Sequence, residues 1–262
     1  MIEIQELSRA YGDVEAVRGL TLTVPAGEIF GLLGPNGAGK STTLKMLATL
    51  LKPTGGAARV CGHDVVADAE GVRRAIGYAP EGAHLYEALS GDEFLDLMRD
   101  LHRLDPAAAA GQRARLAQAL DLGEALPTTI ATYSKGMKQK LVLMAALQHE
   151  PRVLLLDEPL DGLDVASQQA LKGILQRFAA GGGAVIYSSH ILEVVERLCD
   201  RVGILHHGRL VALGRPSELT AASGGTLSEA FLELTDDGGS GRREGADRDR
   251  GSARDAQPPP AR

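Results

Sequence analysis

Residues 34–42 read GPNGAGKST and match the pattern G-x-x-x-x-G-K-[ST] of a phosphate-binding loop. The loop follows the apolar stretch EIFGLL at 28–33, which reads as a strand. It leads into STTLKMLATLL, whose apolar residues recur at helical spacing. A glycine-rich turn could match by accident, but here backbone N–H groups and a helix start would converge on phosphate oxygens. The sequence therefore predicts a nucleoside triphosphate site.

Two side chains of this loop add chemistry of their own. Lys40 can reach the β- and γ-phosphates as a point charge, and Ser41 can ligate Mg²⁺. The predicted phosphate site consists of Gly34, Pro35, Asn36, Gly37, Ala38, Gly39, Lys40, Ser41 and Thr42.

Two carboxylates end a second apolar strand, VLLLDE at 153–158. Asp157 is positioned to hold Mg²⁺ through water, and Glu158 to polarise a water that attacks the γ-phosphate. Adjacent acids at a strand end can also cap the following helix. His190 ends the next predicted strand, after YSS, and could bond the γ-phosphate or orient the water. A lone histidine at such a position is more often structural.

Strand and helix signals alternate around these motifs and predict an α/β fold. The opening third contains the strand patterns IEIQEL and LTLTV, and RVGILHHGRLVALG reads as a hairpin turning at His207-Gly208. A helical block at about 83–150 interrupts the strands. Ser90 and Glu93 form a capping box within it, and Asp105 begins a further helix. Phe94, Leu97, Met98 and Leu101 are predicted to form one apolar stripe.

Composition narrows the possible settings and partners. The net charge of −6 provides no basic field for nucleic acid, so no nucleic-acid partner is expected. No apolar run approaches the ~18 residues of a membrane span, so any spanning would fall to another chain. Cys61 and Cys199 form no metal or disulfide pattern, which favours a reducing, cytoplasmic setting. Residues 236–262 lack Leu, Ile, Val, Met and Phe and are predicted to be disordered, as a solvated rather than a binding tail.

The segment YSKGMKQK at 133–140 is a second small-residue, basic helix start. Ser134 fits the N-cap of the apolar helix that follows. A helix N-terminus with accessible backbone N–H groups is also an anion site. The simpler interpretation is a helix cap flanked by surface lysines.

Taken in order, Lys40, YSKGMKQ, VLLLDEP, GLD at 162–164 and SSH at 188–190 resemble the ATP-binding cassette family, the nucleotide-binding subunits of ABC transporters. The resemblance covers about residues 2–235. It implies the ABC ATPase fold: a P-loop NTPase sheet core, an N-terminal antiparallel β region and an inserted helical subdomain, in one domain at 1–235. It also implies ATP and Mg²⁺ as ligands. Two such domains would pack head to tail, and Ser134 and Gly136 would touch the γ-phosphate held by the partner's loop.

Other roles also follow from the resemblance. Tyr11 is similar to the aromatic residue that stacks on adenine, although it could be a plain strand-end tyrosine, and stacking would also accept GTP. Asp164 is similar to the aspartate that crosses the dimer interface. Glu81 stands where most members have a glutamine that contacts Mg²⁺, and a carboxylate can still ligate the metal.

Where the usual signature is LSGGQ, this chain has Tyr133, Lys135 and Met137. These departures and Glu81 are similar to bacterial ABC-2 type exporter ATPases. The resemblance thus implies an ATPase on the cytoplasmic face of the membrane, bound peripherally to a separate integral-membrane permease subunit. A second nucleotide-binding subunit, identical or closely related, would complete it. The alternative is a soluble cassette ATPase of translation or DNA repair. A P-loop GTPase or kinase is less compatible, since no N-K-x-D motif occurs.

Overall fold

The computed structural model describes residues 1–235 apart from 83 and 224, with only the backbone at 222 and 223. Its strands are β1 (Ile2–Tyr11), β2 (Val14–Val24), β3 (Ile29–Leu33), β4 (Gly55–Val60), β5 (His63–Asp64), β6 (Ile76–Ala79), β7 (Val153–Asp157), β8 (Ala184–Ser189), β9 (Arg201–His206) and β10 (Arg209–Gly214). Its α-helices are α1 (Lys40–Leu47), α2 (Ala69–Ala75), α3 (Gly91–His102), α4 (Pro106–Ala119), α5 (Lys135–Leu147), α6 (Val165–Ala180), α7 (Leu192–Leu198), α8 (Pro216–Ser223) and α9 (Leu227–Thr235).

A six-stranded sheet carries the predicted phosphate loop. Its order is β10-β9-β3-β8-β7-β6, with β10 antiparallel to β9 and the other neighbouring pairs parallel. Every residue of β3, β7 and β8 is buried, as expected for apolar strands covered on both faces. Asp157 pairs with Ser188, and Leu33 pairs with Ser189. The carboxyl ends of these three strands therefore bring the loop, the two acids and His190 to one edge of the sheet.

A second sheet, ordered β2-β1-β4-β5, is antiparallel throughout. One apolar cluster contains Ile4 and Leu22 from this sheet, Phe30 and Leu155 from the six-stranded sheet, and Leu44 from α1. The two sheets and α1 thus share a core, which holds α1 and the preceding loop between them. The predicted α/β class and N-terminal antiparallel region are confirmed.

Helices α3 to α5 occupy the region where the helical block was predicted. The capping box at Ser90 and Glu93 and the N-cap at Asp105 are both present. Two short 3-10 helices, Gly123–Ala125 and Ile130–Thr132, lead from α4 to α5. Helix α5 also packs against the six-stranded sheet, since its apolar residues belong to the same cluster as those of β7 and β8. The block is therefore not separate from the core.

One detail of the predicted α3 stripe is wrong. Leu101 is 67% exposed, whereas Leu95 is fully buried. The face that packs contains Phe94, Leu95 and Met98 and continues to His102, whose ring stacks on His149 just past the end of α5. Leu101 lies on the solvent side of that face. The hairpin at His207-Gly208 is confirmed by β9 and β10.

The predicted disordered tail at 236–262 lies outside the described residues. Within the part of the chain that is described, no helix is both long and apolar enough to cross a bilayer.

Candidate nucleotide-binding site

The phosphate loop is shaped by glycine at its close contact with β2. At Gly39, φ is +105°, and a Cβ there would lie 2.4 Å from the carbonyl oxygen of Ala16. Only glycine can therefore let the loop pass this close to the neighbouring strand. Lys40 then begins α1, and its Nζ donates to the carbonyl oxygens of Gly34 at 2.6 Å and Pro35 at 3.3 Å. These two hydrogen bonds from the Lys40 ammonium connect the end of the loop to its beginning.

Asp157 is fixed by a residue of the neighbouring strand. Its side chain is buried, and Ser188 Oγ donates to its Oδ1 at 2.6 Å. Ser188 is also fully buried. No role was predicted for Ser188. The signal that could have revealed it is the parallel pairing of β7 with β8, which places Ser188 beside Asp157. The hydroxyl stabilises a carboxylate that burial would otherwise penalise.

Glu158 has a strained backbone and a partner for its side chain. Its φ is +48°, in a region that costs a non-glycine residue about 1–3 kcal/mol. Its N–H faces the carbonyl oxygen of Ser188 at 3.2 Å and the hydroxyl at 3.3 Å, which stabilise this conformation. The carboxylate Oε1 lies 3.0 Å from Nδ1 of His190, which is mostly exposed. The two residues that the sequence assigned to the attacking water are therefore in contact.

These groups line one cleft of ≈ 520 Å³. Its lining comprises Ala16, residues 35–42, Glu81, Asp157, Glu158 and His190. Burial lowers the pKa of Lys40, and the carboxylates of Glu158, Asp157 and Glu81 oppose that shift. A buried cation among acids at the open end of a sheet is suited to anionic phosphate together with a metal ion. No sequence motif predicted that Ala16 lines the cleft, because it has no functional side chain and contributes through the position of its backbone.

The YSKGMKQK segment lies beside this cleft, since Lys135 and Lys138 line a neighbouring cavity together with Glu81 and Glu158. Ser134 is the N-cap of α5, where its Oγ accepts from the N–H of Met137 at 3.2 Å. Neither Ser134 nor Gly136 lines the phosphate-loop cleft. Asp164 is the N-cap of α6; the N–H and hydroxyl of Ser167 bond to its carboxylate and lower its pKa to about 2. Ser134 and Gly136 at the start of α5 are therefore not part of the phosphate site of their own chain, although the two regions adjoin through Glu81 and Glu158.

Comparison of the chain with known proteins identifies its family. A family model described as ABC transporter matches residues 17–161, more than half of the chain. The chain belongs to the ABC transporter family. The daunorubicin/doxorubicin resistance ATP-binding protein DrrA of Streptomyces peucetius is 41% identical to this cassette over 226 residues, which cover 86% of the chain and 68% of that protein. The linearmycin resistance ATP-binding protein LnrL of Bacillus subtilis is 34% identical, with 90% and 75% covered.

A solved structure of an ATP-binding subunit of an ABC transporter superposes on the cassette with a TM-score of 0.85 at 35% identity, covering 89% of this chain and 99% of the other. The predicted ABC ATPase fold and family are thus confirmed. The cassette is an ATP-binding subunit and an ATPase of this family. The family model is described as ABC transporter and both relatives carry resistance names, so they support the transporter hypothesis and not the soluble alternative.

The donors in the ABC cassette's cleft fit a Mg²⁺ ion. Ser41, Asp157 and Glu81 supply hard oxygen atoms, which Mg²⁺ prefers alongside phosphate oxygens and water. Within the described residues, no group of three or more His, Cys, Asp or Glu side chains could hold a metal alone. The ion would therefore depend on the nucleotide for part of its coordination.

Tyr11, the residue predicted to stack on adenine, does not line the cassette's cleft. It lies at the β1–β2 turn, 48% exposed, and Arg9 covers its ring with Cζ 4.6 Å from the centroid. It is not among the residues that line the cleft, although Ala16 of the same hairpin is. Adenine stacking on Tyr11 remains a prediction.

Proposed function

We propose that this cassette powers an exporter, as a peripheral subunit on the cytoplasmic face of the membrane that drives a separate integral-membrane permease through an ATP-sandwiched dimer. The observation that carries the proposal is that Ser134 and Gly136 do not line the phosphate-loop cleft of their own chain. The helix start that they form has the chemistry to bind phosphate, so it is available to a nucleotide held by another chain. Two chains related by a two-fold axis would pair each loop with the other chain's Ser134 and Gly136.

The catalytic roles follow from the cleft geometry. Lys40 would bind the β- and γ-phosphates, while Ser41, Asp157 and Glu81 would hold Mg²⁺ in place. A bound Mg²⁺ neutralises charge on the phosphate oxygens. Glu158 would accept a proton from the attacking water, and His190 would orient the Glu158 carboxylate through their 3.0 Å contact. Product release would then reopen the dimer.

A groove between β6 and the helical block is the candidate docking surface for the permease. It encloses ≈ 430 Å³, and its lining includes Leu50, Tyr78, Phe94 and Met98. Leu50 is 64% exposed and lines this groove, so an apolar partner seated there would cover it. A short amphipathic segment of a membrane protein fits such a groove. The resistance names of the two relatives support export as the direction of transport.

The catalytic part is tested with Glu158→Gln. This variant should bind ATP, form a stable dimer in its presence, and lose ATP turnover, because the amide cannot accept the water's proton. Size-exclusion chromatography with light scattering measures the dimer, and phosphate release measures turnover. Near-normal turnover would remove Glu158 from its role, and an ATP-independent monomer would argue against the sandwich.

The docking part is tested with a matched pair of exposed leucines. Leu50→Glu places a charge in the groove, whereas Leu101→Glu places one outside it at similar exposure. Affinity purification from membranes should recover a polytopic membrane protein with the parent and with Leu101→Glu, but not with Leu50→Glu. Recovery with ribosomes or DNA would favour the soluble alternative.

A further inference from the structure

The first residue of α5 holds an ion pair with the loop that follows Glu158. Lys135 Nζ lies 2.6 Å from Asp161 Oδ2. The aliphatic part of the lysine crosses the turn at Gly162, where φ is +77° and a Cβ would lie 3.1 Å from Lys135 Cγ and Cδ. Gly162 therefore provides the space in which this side chain reaches Asp161. The usual signature has glycine at position 135, so the pair depends on the departure.

Deeper contacts fix the same loop to α5. A Cβ on Gly136 would lie 2.6 Å from the carbonyl oxygen of Gly162. The amide of buried Gln139 donates to the carbonyl oxygen of Pro159 at 3.4 Å, and buried Lys140 lies 3.7 Å from Asp164. These contacts hold the α5 start and the 159–164 loop together without Lys135, which makes the outer ion pair dispensable for the fold.

The ion pair between Lys135 and Asp161 is weak enough for the lysine to exchange one anion for another. The side chains of Lys135 and Asp161 are 69% and 51% exposed, so their attraction is screened and adds little to stability. A triphosphate carries more negative charge than one carboxylate and binds lysine well. Lys135 also has a flexible four-carbon stem next to Ser134, which is predicted to meet the partner's γ-phosphate.

We infer that Lys135 alternates between two anions: Asp161 of its own chain when the cassette is open, and the nucleotide held by the partner's loop when the dimer closes. This rests on the proposed sandwich dimer. Asp161 then competes with nucleotide for Lys135 and tunes how readily ATP closes the dimer. Asp161 is a positioning residue in this scheme, since it acts only through the lysine.

The test measures the dimer dissociation constant at saturating ATP by sedimentation velocity, with Glu158→Gln as the parent so that hydrolysis does not intervene. Lys135→Met should raise the constant by about tenfold, equivalent to 1.4 kcal/mol. Asp161→Asn should lower it by about threefold, because a surface ion pair of modest strength no longer competes. Lys138→Met, which removes a lysine one turn further along α5, should leave it within about twofold of the parent.

The double variant distinguishes competition from an unrelated effect. Lys135→Met with Asp161→Asn should match Lys135→Met alone, since in this scheme Asp161 acts on the dimer through Lys135. The inference is overturned if Asp161→Asn still strengthens the dimer without Lys135, or if Lys135→Met leaves the constant unchanged. A parent that forms no ATP-dependent dimer would instead refute the proposed sandwich itself. Unchanged thermal unfolding of each nucleotide-free variant shows that the fold is intact.

Discussion

Replacing Gly136 by alanine tests how closely α5 must approach the 159–164 loop. Gly136 lies in the first turn of α5, between Lys135 and Met137. A Cβ at this position would lie 2.6 Å from the carbonyl oxygen of Gly162, closer than real Cβ contacts allow. The obstacle is backbone rather than a flexible side chain, so the loop or the helix start must move to make room for the added methyl group.

The expected cost is the difference between two opposing terms. Overpacking of this kind typically costs about 1–3 kcal/mol. Alanine recovers about 0.5–1 kcal/mol relative to glycine in a helix. The overpacking term wins, and the free energy of unfolding should fall by about 1–2 kcal/mol, which for a chain of this size lowers Tm by about 2–8 °C. The shift also displaces Ser134. The free energy of ATP-dependent dimerisation should therefore weaken by more than the free energy of unfolding does.

Urea unfolding and sedimentation velocity with ATP measure the two effects. The matched control is Gly111→Ala, since Gly111 is exposed in the middle of α4 and a Cβ there would meet nothing within 4 Å. That substitution should stabilise the chain by about 0.5–1 kcal/mol. If Gly136→Ala stabilised the protein to the same extent and dimerised normally, the close approach of α5 to the loop would have no functional meaning.

Three further predictions concern single side chains. Lys40→Ala should abolish tight ATP binding in calorimetry, because the loop loses both its charge and its internal brace; unchanged affinity would contradict the phosphate-loop assignment. Ser188→Ala should lower the free energy of unfolding by about 1–3 kcal/mol and reduce ATP turnover, since it leaves the buried carboxylate of Asp157 without its donor. Burial lowers the pKa of His149 to about 4, and the electrostatic effect of the stacked His102 ring is the second cause. As the pH falls, the unfolded chain therefore binds a proton at this histidine before the folded chain does. The free energy of unfolding should therefore fall by at most about 3 kcal/mol as the pH is lowered from about 6.5 to 4. Urea unfolding across this pH range should show a smaller fall for His149→Gln than for the parent.

Much of the fold was predictable because its signals are local. Helix starts at Ser90, Asp105 and Ser134 each depend on a side chain bonding a backbone N–H three residues away, and all three caps are present. The apolar runs of β3 and β7 indicate burial on both faces without reference to the rest of the chain. The Leu101 error has the opposite origin: spacing alone does not tell which edge of an apolar stripe faces the neighbouring helix and which faces solvent.

The site was predictable wherever one motif carried both residue and role. Asp157 ends β7, Glu158 follows it, and Lys40 begins the helix after the loop that leaves β3; parallel strands bring such positions to one edge. Partners from distant segments were not predictable in the same way. Lys135 and Asp161 are 26 residues apart, and only the packed start of α5 brings them together. Tyr11 shows the converse, because a suggestive residue type at a strand end did not place it in the cleft.

The strained backbone of Glu158 connects these observations physically. A left-handed residue directly after a buried strand turns the chain sharply, so Glu158 can point into the cleft while the next residues continue to the α5 contact. Ser188 offsets the strain from one side by bonding the Glu158 N–H and the Asp157 carboxylate. The 159–164 loop constrains it from the other side through α5. Because one short segment joins the proposed base to the proposed dimer surface, we expect a shift of the α5 start on closure of the proposed dimer to displace the Glu158 carboxylate.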